Sequence, residues 1–201
     1  MFDTAHDPDQ ALDGTFDVDA LVQTIPSNYS VKGMFFGRFM TILGSDYASF
    51  EPKLRAAPRA GRYLPFKDYP QADYSRLVAA AAAKHYPRLP LREAVRCIAR
   101  DDLATFAGSM LGKVLLSLSG DARTTLQRTP DAYARVAPGA VVRTLDLDPR
   151  TSRVVFEGYR GMVEYTLGQL EGVVLSFGRK PSVTPRQLGE DCIAFDVVHG
   201  G

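Results

Sequence analysis

The hydrophobic period of this 201-residue chain changes at Gly139. Before it, apolar residues recur at three- and four-residue steps, the period of helices with one buried face. After it, two stretches alternate every second residue, with one more helical stretch between them. Both patterns can be buried together only if helices lie on one face of an antiparallel sheet. The expected class is α+β: a helical N-terminal two-thirds packed on a C-terminal antiparallel sheet of about four strands.

The order of elements follows from the same pattern. Val141 to Leu147 and Arg153 to Glu157 flank Asp148-Pro149-Arg150-Thr151, which suits a type I turn and reads as a hairpin. Met162 to Phe177 reads as a helix closed by Gly178, and Pro181 to Gln187 with Asp191 to His199 as a second hairpin turning near Gly189. Upstream, Val31 to Leu43 reads as an amphipathic helix with Gly44 as an αL cap, followed by a connection carrying Pro52, Pro58, Pro65 and Pro70. Asp73 is placed as the N-cap of a helix that runs to His85 and stops at Pro87. Leu91 to Ser119 is a long helical pattern with a break expected near Asp101-Asp102, and a short helical segment covers Ala122 to Leu126. Phe16, Val18, Ala20 and Val22 alternate with polar neighbours and suggest a short strand, a helix being the rival reading. Residues 1–14 are Asp-rich and without period, so a disordered tail is expected before a single domain over 15–201.

Composition narrows the function classes. The 45% hydrophobic and 23% charged residues are the balance of a globular protein that can build its own core. Twenty-four basic against 23 acidic residues leave a formal charge of +1, no field for gripping nucleic acid. The aromatics and cations of the Pro-rich connection are therefore read as core anchors and wetted charges. No apolar stretch is long enough for a transmembrane helix and the acidic start is unlike a secretory leader, so the expected location is cytoplasmic. Cys97 and Cys192 lack metal spacing and are read as buried free thiols.

Few motifs carry chemistry. Gly108-Ser109-Met110-Leu111-Gly112-Lys113 resembles a phosphate loop but has three residues between its glycines and Val114 after Lys113. Gly108 and Gly112 are read instead as a flat strip for close packing of helices or of two subunits, as are Gly168 and Gly172, with Leu111 and Leu115 beside the first pair. His6, His85 and His199 share no face, so no metal site is expected. Asp101-Asp102 and Glu190-Asp191 are read as solvated or capping acids. No Gly-x-Ser-x-Gly, HExxH or CxxC is present, and no nucleophile, base and orienting group can be assembled. A noncatalytic protein is expected.

From Ser30-Val31-Lys32-Gly33-Met34-Phe35-Phe36 through Lys84-His85-Tyr86-Pro87-Arg88-Leu89-Pro90-Leu91-Arg92-Glu93-Ala94 and Gly112-Lys113 to the last hairpin, the chain resembles a paralogous bacterial family of unknown function best known from myxobacteria. Its hairpin, helix, hairpin order also resembles the superfamily of haem nitric-oxide/oxygen-binding domains, vinyl-reductase-like regulatory domains and vesicle-tethering TRAPP subunits. The haem branch has a Tyr-x-Ser-x-Arg signature, for which this chain offers Phe156-Glu157-Gly158-Tyr159-Arg160. Only Arg160 matches, and no histidine lies between His85 and His199, so no haem and no other cofactor is expected. Arg160 is then either an anion anchor or a surface arginine at a strand end. The resemblance implies a cytoplasmic regulatory or sensor domain whose ligand is small and apolar or amphipathic. Candidate contacts are Arg160, Phe156, Phe106 and Met110, with signalling through homodimer packing. The alternative is a protein-interaction or scaffold module like the TRAPP subunits, its cavity filled by its own side chains.

Overall fold

The computed structural model describes residues 4–5, 17–58, 61–108 and 120–200, with 4–5 and 104–108 as backbone only. Its helical part begins with α1 (Val18–Thr24), where a strand was expected. The side chain of Asp17 accepts from the N–H groups of Asp19 and Ala20, and this N-cap outweighs a weak two-residue alternation. A short strand, β2 (Ser30–Lys32), leads through a 3₁₀ turn at Gly33–Phe35 into α2 (Phe36–Leu43). Gly44 takes φ +54° and ψ −126°, a glycine conformation other than the αL cap expected there. The Pro-rich connection holds the one-turn α3 (Tyr47–Phe50) and ends in β3 (Asp68–Pro70), which pairs antiparallel with β2.

The two long helices differ from expectation in instructive ways. The helix α4 (Gln71–His85) starts two residues before Asp73. Asp73 is no cap: fully buried, it accepts from the N–H groups of Arg55 and Ala56 at 2.9 Å each and ties the connection to the helix. The helix α5 (Leu91–Gly108) runs unbroken through Asp101-Asp102. Next come α6 (Ala122–Gln127), capped by Asp121, and α7 (Thr129–Val136), where Pro130 sits in the first turn and costs no hydrogen bond.

The C-terminal third has the expected hairpin, helix, hairpin order: β4 (Val141–Asp148), β5 (Thr151–Glu157), α8 (Val163–Ser176), β6 (Ser182–Gly189) and β7 (Cys192–Val198). These strands, with the two-residue β1 (Thr4–Ala5), form one antiparallel sheet in the order β1-β6-β7-β5-β4. Register sets its faces. Val154 and Phe156 of β5, opposite Phe195 and Ile193 of β7, are buried with α8. The alternate pair Arg153 and Asp196 faces away, and Asp196 accepts from Arg153 at 2.6 Å and from Arg186 at 2.5 Å.

One side of α8 covers the sheet and the other lies on α5, which explains its apolar width. Leu167 and Val174 are both buried within the chain. A Cβ on Gly168 would stand 2.1 Å from the backbone oxygen of Arg96, and one on Gly172 would stand 3.0 Å from the Leu103 side chain. Along the same seam Arg92 is paired with Glu164, and Glu171 accepts from Arg96 and, at 2.8 Å, from Arg100. Both glutamates are buried, and a buried carboxylate is tolerable only with such partners. Two apolar cores result. One lies among α2, α4 and α5; the other lies between the sheet and α8. Cys97 and Cys192 are free but half-buried, less enclosed than expected.

Candidate functional site

A cavity of about 210 Å³ separates the two cores. Its apolar wall includes Val31, Phe156, Met162, Leu170 and Val173, residues from β2, β5, the β5–α8 loop and α8. Phe156 is 1% exposed and packs edge-on against Tyr133 and Phe195. A cavity of about 150 Å³ lined by aliphatic and aromatic side chains is enough for a benzene ring. The space here is larger, and its wall runs from the buried Asp102 to the partly exposed Arg160.

Polar groups converge on it from α4, α5, α7 and α8. Asp102 of α5, 6% exposed, accepts from Tyr165 of α8 at 2.6 Å, from Tyr74 of α4 at 3.4 Å, and from Arg38 of α2 at 3.3 Å. The Tyr74 and Tyr165 hydroxyls are 2.5 Å apart. Burial pushes the Asp102 carboxyl above the usual carboxylate range, with Tyr165 and Arg38 pulling the other way. Burial also holds the phenols of Tyr74, Tyr165 and Tyr159 neutral, well above the ordinary tyrosine value. Tyr133 donates to Gln169 Oε1 at 2.7 Å, and the hydroxyls of Tyr159 and Thr166 are 2.8 Å apart.

The turn after β5 contributes Tyr159, Arg160 and Gly161 to the wall. Gly158 has φ +72°, and a side chain there would meet the Tyr29 hydroxyl, which donates to Gly158 O at 2.8 Å. A serine at this position would be strained. Arg160 lines the cavity, donates to Tyr159 O at 3.2 Å, and is paired with Asp191. Arg160 therefore stands at the cavity wall with its charge already answered by Asp191. Asp191 is that ion-pair partner, not merely a solvated acid.

The other sequence candidates fall unevenly. Phe106 and Gly108 belong to α5, but the Phe106 side chain is not described. Met110, Leu111, Gly112 and Leu115 lie outside the described residues. Gly168 and Gly172 face α5 within the chain. Asp102, Tyr74 and Tyr165 were missed, although a tyrosine one turn into a helix and an acid within an apolar stripe are signals that a polar pole lies inside.

The family model described as "Protein of unknown function (DUF2378)" matches residues 24–198. The chain belongs to the DUF2378 family. No curated protein shows a significant sequence match to this DUF2378 chain. Among solved structures it is similar to an H-NOX protein from S. oneidensis in the Fe(II)NO ligation state, with a TM-score of 0.64 and 14% identity over 83% of this chain and 97% of that one. It is also similar to the Fe(II) unliganded H-NOX protein from K. algicida, with a TM-score of 0.61 and 14% identity over 85% and 97%. At these identities the likeness is one of fold.

Haem, named for one such structure, does not fit the donor set that the described residues offer. His85 packs edge-on against Tyr86, and His199 is bonded to Ser152; neither lines the cavity. The other donors on the described wall include neutral phenols, the hydroxyls of Ser75, Thr125, Thr129 and Thr166, the side-chain amides of Gln71 and Gln169, a carboxyl held by three partners, and the Met162 thioether. Arg160, the signature's counterpart for a propionate, is neutralised by Asp191. Among the described residues no group of three or more His, Cys, Asp or Glu could hold a metal ion, and no helix is long and apolar enough to cross a membrane.

Proposed function

We propose that this chain is a noncatalytic regulatory domain of the cytoplasm that takes up a small apolar or amphipathic ligand in the cavity between its helices and its sheet, occupancy being passed on through dimer packing. One observation carries this: a largely apolar cavity of about 210 Å³ onto which hydroxyls, an amide and a carboxyl converge. Binding sites for small molecules are built in this way, with apolar walls for affinity and a few placed polar groups for orientation. A scaffold module with its interior filled by its own Phe and Met side chains would lack the space. The fold is shared with H-NOX proteins, among them one described in an Fe(II)NO ligation state, which favours a ligand-holding domain over a structural one. A noncatalytic role is supported by the wall itself, whose phenols are held neutral and whose acid is tied to Tyr165, Tyr74 and Arg38.

Native mass spectrometry of protein purified without added ligand tests the reading, followed by titration with propylbenzene and para-propylphenol as probes. The expected result is either a co-purified mass or a one-to-one adduct with one of the probes. Bare protein that neither carries a mass nor takes up either probe would overturn it.

A further inference from the structure

The cavity has a distinct hydrogen-bonding polarity at its inner pole. Tyr165 donates its only proton to Asp102 Oδ2 at 2.6 Å. The Tyr74 proton goes to the Tyr165 oxygen at 2.5 Å, or to Asp102 Oδ2 at 3.4 Å. A hydroxyl has one proton and two lone pairs, so both phenol protons are consumed inside this cluster while lone pairs on Tyr74 and Asp102 are left over. Asp102 Oδ1 receives Arg38 Nη1 at 3.3 Å. The cluster therefore offers acceptors and no donor, and Asp102, Tyr74 and Tyr165 all line the cavity. Of the two side-chain amides on the wall, Gln169 accepts from Tyr133 through Oε1 and Gln71 donates to Arg160 O at 3.4 Å, so neither belongs to this cluster.

Charge narrows the match further. Arg38 already balances the Asp102 carboxylate, so a second cation is not called for, and a carboxylate placed there would meet a like charge in a desolvated site. We propose that the inner pole formed by Asp102, Tyr74 and Tyr165 selects a neutral hydroxyl group on a compact apolar ligand, the hydroxyl donating into the cluster. This rests on the cavity being a ligand site and specifies which end of the ligand goes in first. The hydroxyl points to Asp102, the apolar body lies along Phe156, Leu170 and Val173, and the other end faces Arg160. A site built to accept a ligand hydroxyl discriminates strongly against an analogue that cannot donate, because its own acceptors are then buried unpaired.

Four probes of nearly one shape decide it by isothermal titration: para-propylphenol, its methyl ether, propylbenzene and para-propylbenzoate. The phenol is expected to bind about tenfold or more tighter than the ether, the hydrocarbon and the benzoate, in line with a hydrogen bond to a charged group. Asp102→Asn, which keeps the shape, should narrow that gap. Tyr74→Phe serves as a second variant should the first fail to fold, with the same narrowing expected. Equal affinity for phenol, ether and hydrocarbon would overturn this inference and leave the cavity reading standing. Tightest binding by the benzoate would overturn it in favour of an anion held at Arg160. No binding by any of the four would remove both.

Discussion

At the scale of single residues, burial changes what a polar group can do, and His199 shows it with a measurable consequence. Ser152 donates its one proton to Asp146 Oδ1 at 2.9 Å, so the His199 Nε2, 3.0 Å from the Ser152 oxygen, carries its proton and donates. The ring is buried and neutral. Burial holds its pKa below the ordinary 6.5, against the pull of Asp146, with Arg123 adding to the depression. Because the unfolded chain then takes up a proton before the folded one does, stability is complete above about pH 6.5 and is lost as pH falls below it. Each pH unit of depression would be worth about 1.4 kcal/mol, roughly 2–4 °C per kcal/mol for a chain of this size. Thermal melts at pH 7.5 and 5.5 should show a drop that His199→Gln, which keeps an N–H donor, makes smaller. An identical drop in the variant would remove His199 from the acid sensitivity of the fold.

At the scale of elements, the contact between α5 and α8 separates glycines that are required from those merely convenient. At Gly168 an added Cβ meets the backbone oxygen of Arg96 at 2.1 Å, and backbone cannot swing aside. At Gly172 the nearest atoms belong to the flexible Leu103 side chain at 3.0 Å, with Arg100 O at 3.2 Å. Alanine gains about 1 kcal/mol over glycine in a helix interior, whereas overpacking costs roughly 1–3 kcal/mol or more. The cost should win at the first site and be nearly offset at the second. Gly168→Ala is therefore expected to lower the melting temperature by several degrees and Gly172→Ala by little. Equal, negligible shifts would mean that the two helices do not touch along this line.

At the scale of the whole molecule, the remaining question is self-association. Leu167 and Val174 of α8 are buried within the chain, and Val163 is partly buried against the same core. What still favours a two-fold dimer is the apolar run Leu111, Leu115 and Leu116, which lies outside the described residues. Sedimentation equilibrium at micromolar concentrations is expected to give twice the chain mass, with Leu111→Glu returning it to a single chain. A constant single-chain mass would reject the dimer and leave ligand occupancy to be sensed by another partner.

Hydrophobic period determined the class and the order of hairpin, helix and hairpin, and the Asp-Pro pair determined the turn at Asp148 to Thr151, because these depend on neighbours within a few residues. The short region before β2 was misread, since its alternation was weaker than the cap offered by Asp17. Asp73 and Asp102 were misread for a different reason. Each carries the signature of a boundary residue, yet its partners come from other elements: Arg55 and Ala56 for one, Arg38, Tyr74 and Tyr165 for the other. A carboxylate inside a helix looks like an exposed group until tertiary packing supplies donors 17 to 64 residues away in sequence. The cavity and its polar pole exist only in that packing, because local period tells which residues are buried and not which of them meet.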